Sequence, residues 1–363
     1  MEKLLVVSAL KDDCYIKNAE HFLSKHAEDV KAGAEKFAQM SGAKILYLLP
    51  EGVTAEGLEN VRYGMKTPTG DNPYSCAQQL KGNLPRPMIQ DDYVAEYDGM
   101  EVNVITVEGA FWLAKGTEIK HITVNGEVKE IAMGTKISDV VDASDAKAVL
   151  IGGLKGRLVA PDQLDDFVVS TDFLYDSVDV IPKTACIVET LIRHLNNVWN
   201  YSCGKCVVCR EGTLQFKTIC EEMTAGKAKP ADVDLLKDVG QLIREGSYCP
   251  YGQNWPQAVL DALELFADEF DSHIKRKQCP AGVCYQAGDT YVILPDKCTG
   301  CTDCIDECDE LAIEGKKGFI HMIDQALCEH CGKCVDICDE EAIIKVDGKM
   351  PKLPKKLTRV GKF

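Results

Sequence analysis

The sequence predicts an α/β + α protein of several domains, and three observations carry that expectation. Short apolar runs alternate with helical periodicity over residues 1–115, a strand-and-turn pattern fills 116–183, and long amphipathic stretches fill 184–276. Beyond them lie a cysteine-rich tandem (277–348) and a basic tail (349–363). A chain of 363 residues has room for two to four domains with substantial cores.

Taken in order, LLVVSAL (4–10) reads as a short buried strand, residues 19–41 as helix, and KILYLLP (44–50) as a second strand stopped by Pro50 and Gly52. The Pro/Gly-rich stretch 67–88 reads as an extended loop. HITVNGEV, with Asn125-Gly126 as a hairpin turn, and KAVLIGGLKGRLV suggest a small β-grasp-like domain over 116–183. CIVETLIRHLNNVW, TLQFKTICEEM, VDLLKDVGQLIRE and PQAVLDALELFADEFDSHI carry apolar residues at i, i+3 and i+4, as a helical bundle requires. The tail KMPKLPKKLTRVGKF has six basic residues and no acid; it reads as a solvated end, with a docking arm as the other reading.

Composition narrows the function. The 18 cysteines are too sparse for a disulfide scaffold, and most fall in ligand-type spacing. The N-terminal apolar run is broken by Lys11, Asp12 and Asp13, so it does not read as a signal peptide, and no apolar stretch approaches membrane-span length. A reduced cytoplasm is the expected compartment. A net charge of −16 argues against nucleic acid and against an anionic membrane surface.

KCTGCTDCIDECDELAI and LCEHCGKCVDICDEEAI each read C-x2-C-x2-C-x3-C. Soft thiolates in fours suit iron–sulfur clusters, and in bacterial two-cluster ferredoxins the fourth cysteine of each run serves the other cluster. By that rule Cys298, Cys301, Cys304 and Cys338 hold one [4Fe–4S], and Cys328, Cys331, Cys334 and Cys308 hold a second. Two zinc knuckles would want pairs instead of four-cysteine runs. The usual proline after the fourth cysteine is Asp309 in one run and Asp339 in the other. With Asp306, Glu307, Glu310, Asp336, Glu340 and Glu341 these carboxylates should depress the cluster potentials, less any solvent screening.

SCGKCVVCREGT (202–213), followed by SYCPYGQNWP, resembles a signature of the NADH-oxidising flavoprotein subunit of respiratory complex I, which also occurs in soluble NAD-linked [FeFe]-hydrogenases and formate dehydrogenases. The resemblance implies that Cys203, Cys206 and Cys209 bind a [4Fe–4S] with Cys249 as fourth ligand; a zinc site on the same thiols is the alternative. The β-grasp-like segment stands where the family has its ubiquitin-like (SLBB-like) domain. QCPAGVC and the tandem resemble the extension of the hydrogenase-type members. KHAEDVKAGAEKFAQMSGAKILYL, LKGNLPRP and NVITVEGAFWLAKG resemble three segments of the family's flavin domain.

That domain reads as eroded. The family's glycine-rich FMN loop precedes the strand at which this sequence begins, so the loop is expected to be missing. The family's N-x-D-E segment is SALKDDC here, its GEET segment is Gly70-Asp71-Asn72-Pro73, and its Asn-Asn pair is Ile105-Thr106. FMN and NAD are therefore expected to be absent. The implied protein is a cytoplasmic iron–sulfur electron-transfer subunit of an anaerobe's multi-subunit oxidoreductase, of hydrogenase, formate dehydrogenase or ferredoxin:NAD(P) oxidoreductase type. Its implied partners are a catalytic or flavin-bearing subunit, a thioredoxin-like [2Fe–2S] subunit, and ferredoxin if a local basic patch such as the tail offsets two acidic surfaces. The alternative is an active FMN-dependent NAD(P)H oxidoreductase, electron-bifurcating or not, with a diverged flavin site. A scaffold that keeps clusters only for stability is the third reading.

Of the other cysteines, Cys14, Cys76 and Cys186 read as inert thiols. His273, Cys279 and Cys284, with Cys220 as a fourth ligand, admit a structural Cys3His zinc site. His21, His26, His121, His194, His321 and His330 show no partner spacing and read as surface or core residues.

Overall fold

Leu4–Val7 are all buried, so β1 (Glu2–Ser8) is packed on both faces, at the centre of a five-stranded sheet. The computed structural model describes residues 1–363 except 12, 86–93, 117–118, 285–289, 326, 329–330, 347–350 and 355. It forms two compact units, Met1–Glu221 with Lys229–Phe270, and Glu222–Ala228 with Asp271–Phe363.

In the first unit the sheet runs β3 (Val61–Gly64), β2 (Ala43–Pro50), β1, β5 (Met100–Thr106), β4 (Glu96–Tyr97). All pairings are parallel except the β4–β5 edge. Alternation sends Leu5 and Val7 to one face, against α1 (Asn18–Lys25), α2 (Ala27–Ser41) and α4 (Val107–Lys115). Leu4 and Val6 go to the other, with Cys76 and Ala77 of α3 (Pro73–Leu80). A Cβ on Gly33 would lie 1.8 Å from the Ala110 carbonyl oxygen, so only glycine lets α2 meet α4 this closely.

Two expectations for this region need correction. Residues 19–41 form two helices, because the chain leaves helical geometry at His26 (φ −130°, ψ 22°). The stretch expected as an extended loop contains α3: Asn72 Oδ1 accepts the Ser75 N–H at 3.0 Å and Pro73 occupies the first turn, so cap and proline start a helix. Residues 86–88 of that stretch lie outside the described residues.

A second sheet runs β7 (Glu127–Ala132), β6 (Ile119–Val124), β10 (Ser177–Pro182), β8 (Ala146–Ile151), β9 (Arg157–Val159). β10 lies parallel to β6 and the other pairs are antiparallel. Asn125 (φ 49°) and Gly126 (φ 84°) both take the left-handed conformation, which a two-residue hairpin turn matched to strand twist requires. Ile122, Val124, Val149, Ile151 and Val178 fill its core.

The helical part comprises α5 (Ile187–Tyr201), α6 (Val207–Thr224), α7 (Ala231–Gly246), α8 (Pro250–Asn254), α9 (Gln257–Leu265) and α10 (Ala267–Asp271). The last apolar pattern, expected as one helix, divides at Phe266 and ends in a π-helical turn at Ser272–Arg276.

In the second unit β11 (Thr290–Ile293) pairs with β14 (Ile343–Val346), and β12 (Ile313–Glu314) with β13 (Met322–Ile323), both antiparallel. The one-turn helices α11 (Asp303–Asp306) and α12 (Lys333–Asp336) occupy equivalent places in the two cysteine runs. The tail, read as a solvated end, is exposed at most of its described residues, but part of it is paired. Arg359 bridges to Phe319, and the Ile320 N–H donates to the Thr358 carbonyl at 2.9 Å, so backbone pairing holds part of it. Among the described residues no helix is long and apolar enough to cross a membrane.

Candidate iron–sulfur sites

In the second unit the structure gathers eight thiols into two groups of four. Cys298, Cys301, Cys304 and Cys338 line one cavity of about 90 Å³; Cys308, Cys328, Cys331 and Cys334 line another of about 200 Å³. Each group thus takes three thiols from one run and the last thiol of the other. Backbone geometry repeats between the runs. Thr302 (φ 92°) and Gly332 (φ 78°) turn the chain into α11 and α12, and Leu311 (φ 52°) and Glu341 (φ 47°) turn it out again. After the second turn the Ala312 N–H donates to Cys308 Sγ at 3.3 Å and the Ala342 N–H to Cys338 Sγ at 3.4 Å.

An N–H aimed at sulfur favours the thiolate over the thiol. Burial works the other way: with the neighbouring thiols adding to it, it pushes the Cys304 thiol up to about 12 and the Cys334 thiol up to about 11. A cage that concentrates thiolates while penalising their charge suits a cationic iron core. Four thiols per group, one in each group receiving a backbone N–H bond, fit a four-thiolate iron–sulfur cluster.

Around these cages Asp306, Glu307, Asp309, Glu310, Asp336, Asp339, Glu340 and Glu341 are all exposed, where water and salt screen them. Asp309 is also paired with Lys333 Nζ at 2.6 Å, which holds its carboxyl below the usual range. The expected depression of the potentials is correspondingly weakened. His321, read from sequence as an unpartnered residue, is buried with Nδ1 3.4 Å from Cys304 Sγ. His330 lies outside the described residues.

In the first unit Cys203 and Cys206 lie in the turn before α6, Cys209 in its first turn, and Cys249 at the cap of α8. Burial raises the Cys209 and Cys249 thiols; Cys249 and Cys206 add to the first shift, and Cys203 and Cys206 to the second, which places the four within electrostatic reach. Trp255, fully buried, donates its indole N–H to Cys209 Sγ at 3.4 Å. Gly252 packs against Ser247, where a Cβ would come within 2.6 Å, and the Tyr251 hydroxyl donates to the Val198 carbonyl at 2.7 Å. Those contacts fix the α8 cap against α5. This donor set also fits a four-thiolate cluster.

Other predicted residues behave differently. The ligand atoms of His273, Cys279 and Cys284 lie within 4.8 Å of one another, but Cys220 is not among them. It is wholly buried in the first unit, where burial pushes its thiol up to about 12 and Cys186 adds to the shift, so it is a core thiol. Cys14 is also pushed up to about 12, which is no profile for a nucleophile. Cys76 donates Sγ–H to the Gly70 carbonyl. His194 is buried beside the Tyr15 hydroxyl at 3.3 Å.

At the C-terminal end of the parallel sheet, where open α/β sheets usually admit ligands, the chain packs on itself. The Thr67 N–H donates to the Leu10 carbonyl at 2.9 Å, and a Cβ on Gly70 would lie 2.2–2.4 Å from Leu10 and Lys11 backbone atoms. Asp71 pairs with Lys11 at 3.4 Å, and Thr106 caps α4 by accepting the Gly109 N–H at 3.0 Å.

Residues 189–273 match the model of the NADH-ubiquinone oxidoreductase-F iron-sulfur binding region, a span that takes in Cys203, Cys206, Cys209 and Cys249. Those residues are similar to that region. The chain is 32% identical over 318 residues to the NADP-reducing hydrogenase subunit HndC of Solidesulfovibrio fructosivorans, covering 74% of this chain and 63% of that one. It is 33% identical over 98 residues to the F-type subunit of the NADH-quinone oxidoreductase of Streptomyces coelicolor, covering 27% and 22%. Its fold resembles an NAD+-reducing [NiFe]-hydrogenase crystal structure with a TM-score of 0.66 at 21% identity, covering 77% of this chain and 58% of that chain. The chain spans less than two thirds of the length of each of these relatives.

Proposed function

We propose that this chain is an iron–sulfur electron-transfer subunit of a multi-subunit oxidoreductase, holding three [4Fe–4S] clusters and no FMN or NADH of its own. What supports the reading is that eight cysteines line two cavities in fours, that Cys203, Cys206, Cys209 and Cys249 lie within electrostatic reach, and that N–H donors meet Cys209, Cys308 and Cys338. When bound, such clusters supply one-electron carriage without bond-making residues. Cys203, Cys206, Cys209 and Cys249 would hold one; Cys298, Cys301, Cys304 and Cys338 a second; Cys308, Cys328, Cys331 and Cys334 a third. The remaining residues set the environment: Trp255 and the Ala312 and Ala342 amides stabilise thiolate charge, and Lys333 offsets Asp309. The self-packed sheet end around Leu10 and Gly70 supports the absence of a flavin. By analogy with the named relatives, the partners are other subunits of a hydrogenase, formate dehydrogenase or complex I-like assembly.

A second reading, an FMN-dependent NAD(P)H oxidoreductase subunit, draws on the retained parallel sheet and on relatives named as NADP- and NAD-reducing. Electron paramagnetic resonance of the reduced full chain tests the wiring. Cys206→Ser, Cys304→Ser and Cys334→Ser should each delete one cluster signal and about four irons. Loss of all three signals in any one variant would contradict separate ligand sets.

A further inference from the structure

In the first unit His21 and His26 meet His121, which is distant from them in sequence. His21 lies in α1, His26 is the joint between α1 and α2, and His121 lies in β6 directly opposite Glu130 of β7. The ring centroids stand 5.5 Å (His21–His26), 5.4 Å (His21–His121) and 5.8 Å (His26–His121) apart. The ligand atoms of the three histidines and Glu130 all lie within 4.8 Å of one another. Phe22 and Phe111 form an apolar floor, 4.5 Å and 5.3 Å from the His121 ring.

Aromatic packing alone does not account for the cluster. His21 Nε2, His26 Nε2 and both ring nitrogens of His121 are buried without a hydrogen-bond partner among the described residues. Each buried, unsatisfied polar atom carries a desolvation cost that phenylalanine at these positions would avoid. Neutral imidazole is the form that offers a lone pair to a metal.

We propose that His21, His26, His121 and Glu130 form a binding site for a divalent first-row transition metal, with zinc the ion that this donor set fits best. Three imidazole nitrogens and one carboxylate oxygen make a closed tetrahedral set for a borderline-soft cation. Asp29 Oδ2 lies 3.8 Å from His26 Nδ1, on the ring nitrogen that faces away from Glu130, where a carboxylate orients a metal-bound histidine. Lys115 holds that carboxylate at 3.0 Å. The Glu130 side chain is 55% exposed and provides the entrance. Donors at about 2.0–2.1 Å from one zinc sit closer together than these do, so loading draws the α1–α2 corner onto the β6–β7 hairpin.

The experiment uses the full chain with its iron reconstituted anaerobically, titrated with zinc and followed by metal analysis, zinc-edge X-ray absorption and thermal unfolding. The expected result is a zinc with nitrogen and oxygen neighbours at about 2.0 Å that raises the Tm. His21→Gln/His26→Gln should lose that zinc and its Tm response while keeping its iron. Glu130→Gln, a change at an exposed residue that leaves the fold intact, should weaken zinc binding by roughly tenfold or more. The proposal is overturned if Glu130→Gln binds zinc as tightly as the parent. It is also overturned if bound zinc shows only sulfur neighbours at about 2.3 Å, or if a folded double variant keeps the same zinc content and Tm response.

Discussion

His321 Nδ1 stands 3.4 Å from Cys304 Sγ, with both side chains buried. The ring is held in place by Gly315, where a Cβ would lie 1.8 Å from His321 Cδ2. A ligating thiolate only accepts, so Nδ1 must be the donor when Cys304 holds iron. His321→Leu should lower the potential of the Cys298/Cys301/Cys304/Cys338 site by some tens of millivolts, since about 1.4 kcal/mol corresponds to about 59 mV for one electron. A redox titration followed by paramagnetic resonance reads the shift; an unmoved potential, or equal shifts at all three sites, would contradict it.

Trp255 makes the matching bond in the first unit and is T-stacked on Phe216 at 5.3 Å. Trp255→Phe keeps most of the packing and removes the donor. The variant should lose about 1–2 kcal/mol of stability and release iron from the Cys203/Cys206/Cys209/Cys249 site faster under chelator. Iron release from the other two sites should match the parent.

Lys333 and Asp309 form an exposed pair, so its effect is electrostatic and screened. Lys333→Ala should lower the potential of the Cys308/Cys328/Cys331/Cys334 site at low ionic strength, and the difference should shrink as salt is added. A shift that ignores salt would mean that Lys333 acts through packing.

Asp179 lines a cavity of about 420 Å³ with Tyr15 and His194, and its Oδ2 has no hydrogen-bond partner among the described residues. Burial, with Asp13 adding to it, pushes its carboxyl up to about 7. A raised acid favours the folded state fully below its unfolded value of about 3.9, and that contribution is lost as pH climbs through 7. Asp179→Asn should therefore exceed the parent in stability by on the order of 1–3 kcal/mol at about pH 8, with a smaller gap at about pH 6. Denaturant midpoints at the two pH values check this; equal gaps would contradict the assignment.

The legible parts of this molecule are those whose signal is local. Asn125-Gly126 announces its hairpin, and each C-x2-C-x2-C run announces its thiols, because the determining residues are neighbours in sequence. α3 is hidden because the glycines and prolines around it outweigh a cap as small as Asn72 and Pro73. Cys220 can be joined to His273, Cys279 and Cys284 on paper, since spacing says nothing about which face of α6 carries it; in the fold it points into the core. The His21–His26–His121 cluster is illegible for the same reason in reverse. It is created by packing α1 against β6, and His121 carries no local mark of that contact. His321 reaches Cys304 only because β12 and β13 fold back on the first cysteine run.

The most direct test of the electron-transfer account is anaerobic quantitation of iron and released flavin on the purified full chain. The account predicts about twelve irons per chain and no flavin. One FMN per chain beside the same iron would contradict it and make this an FMN-bearing redox subunit.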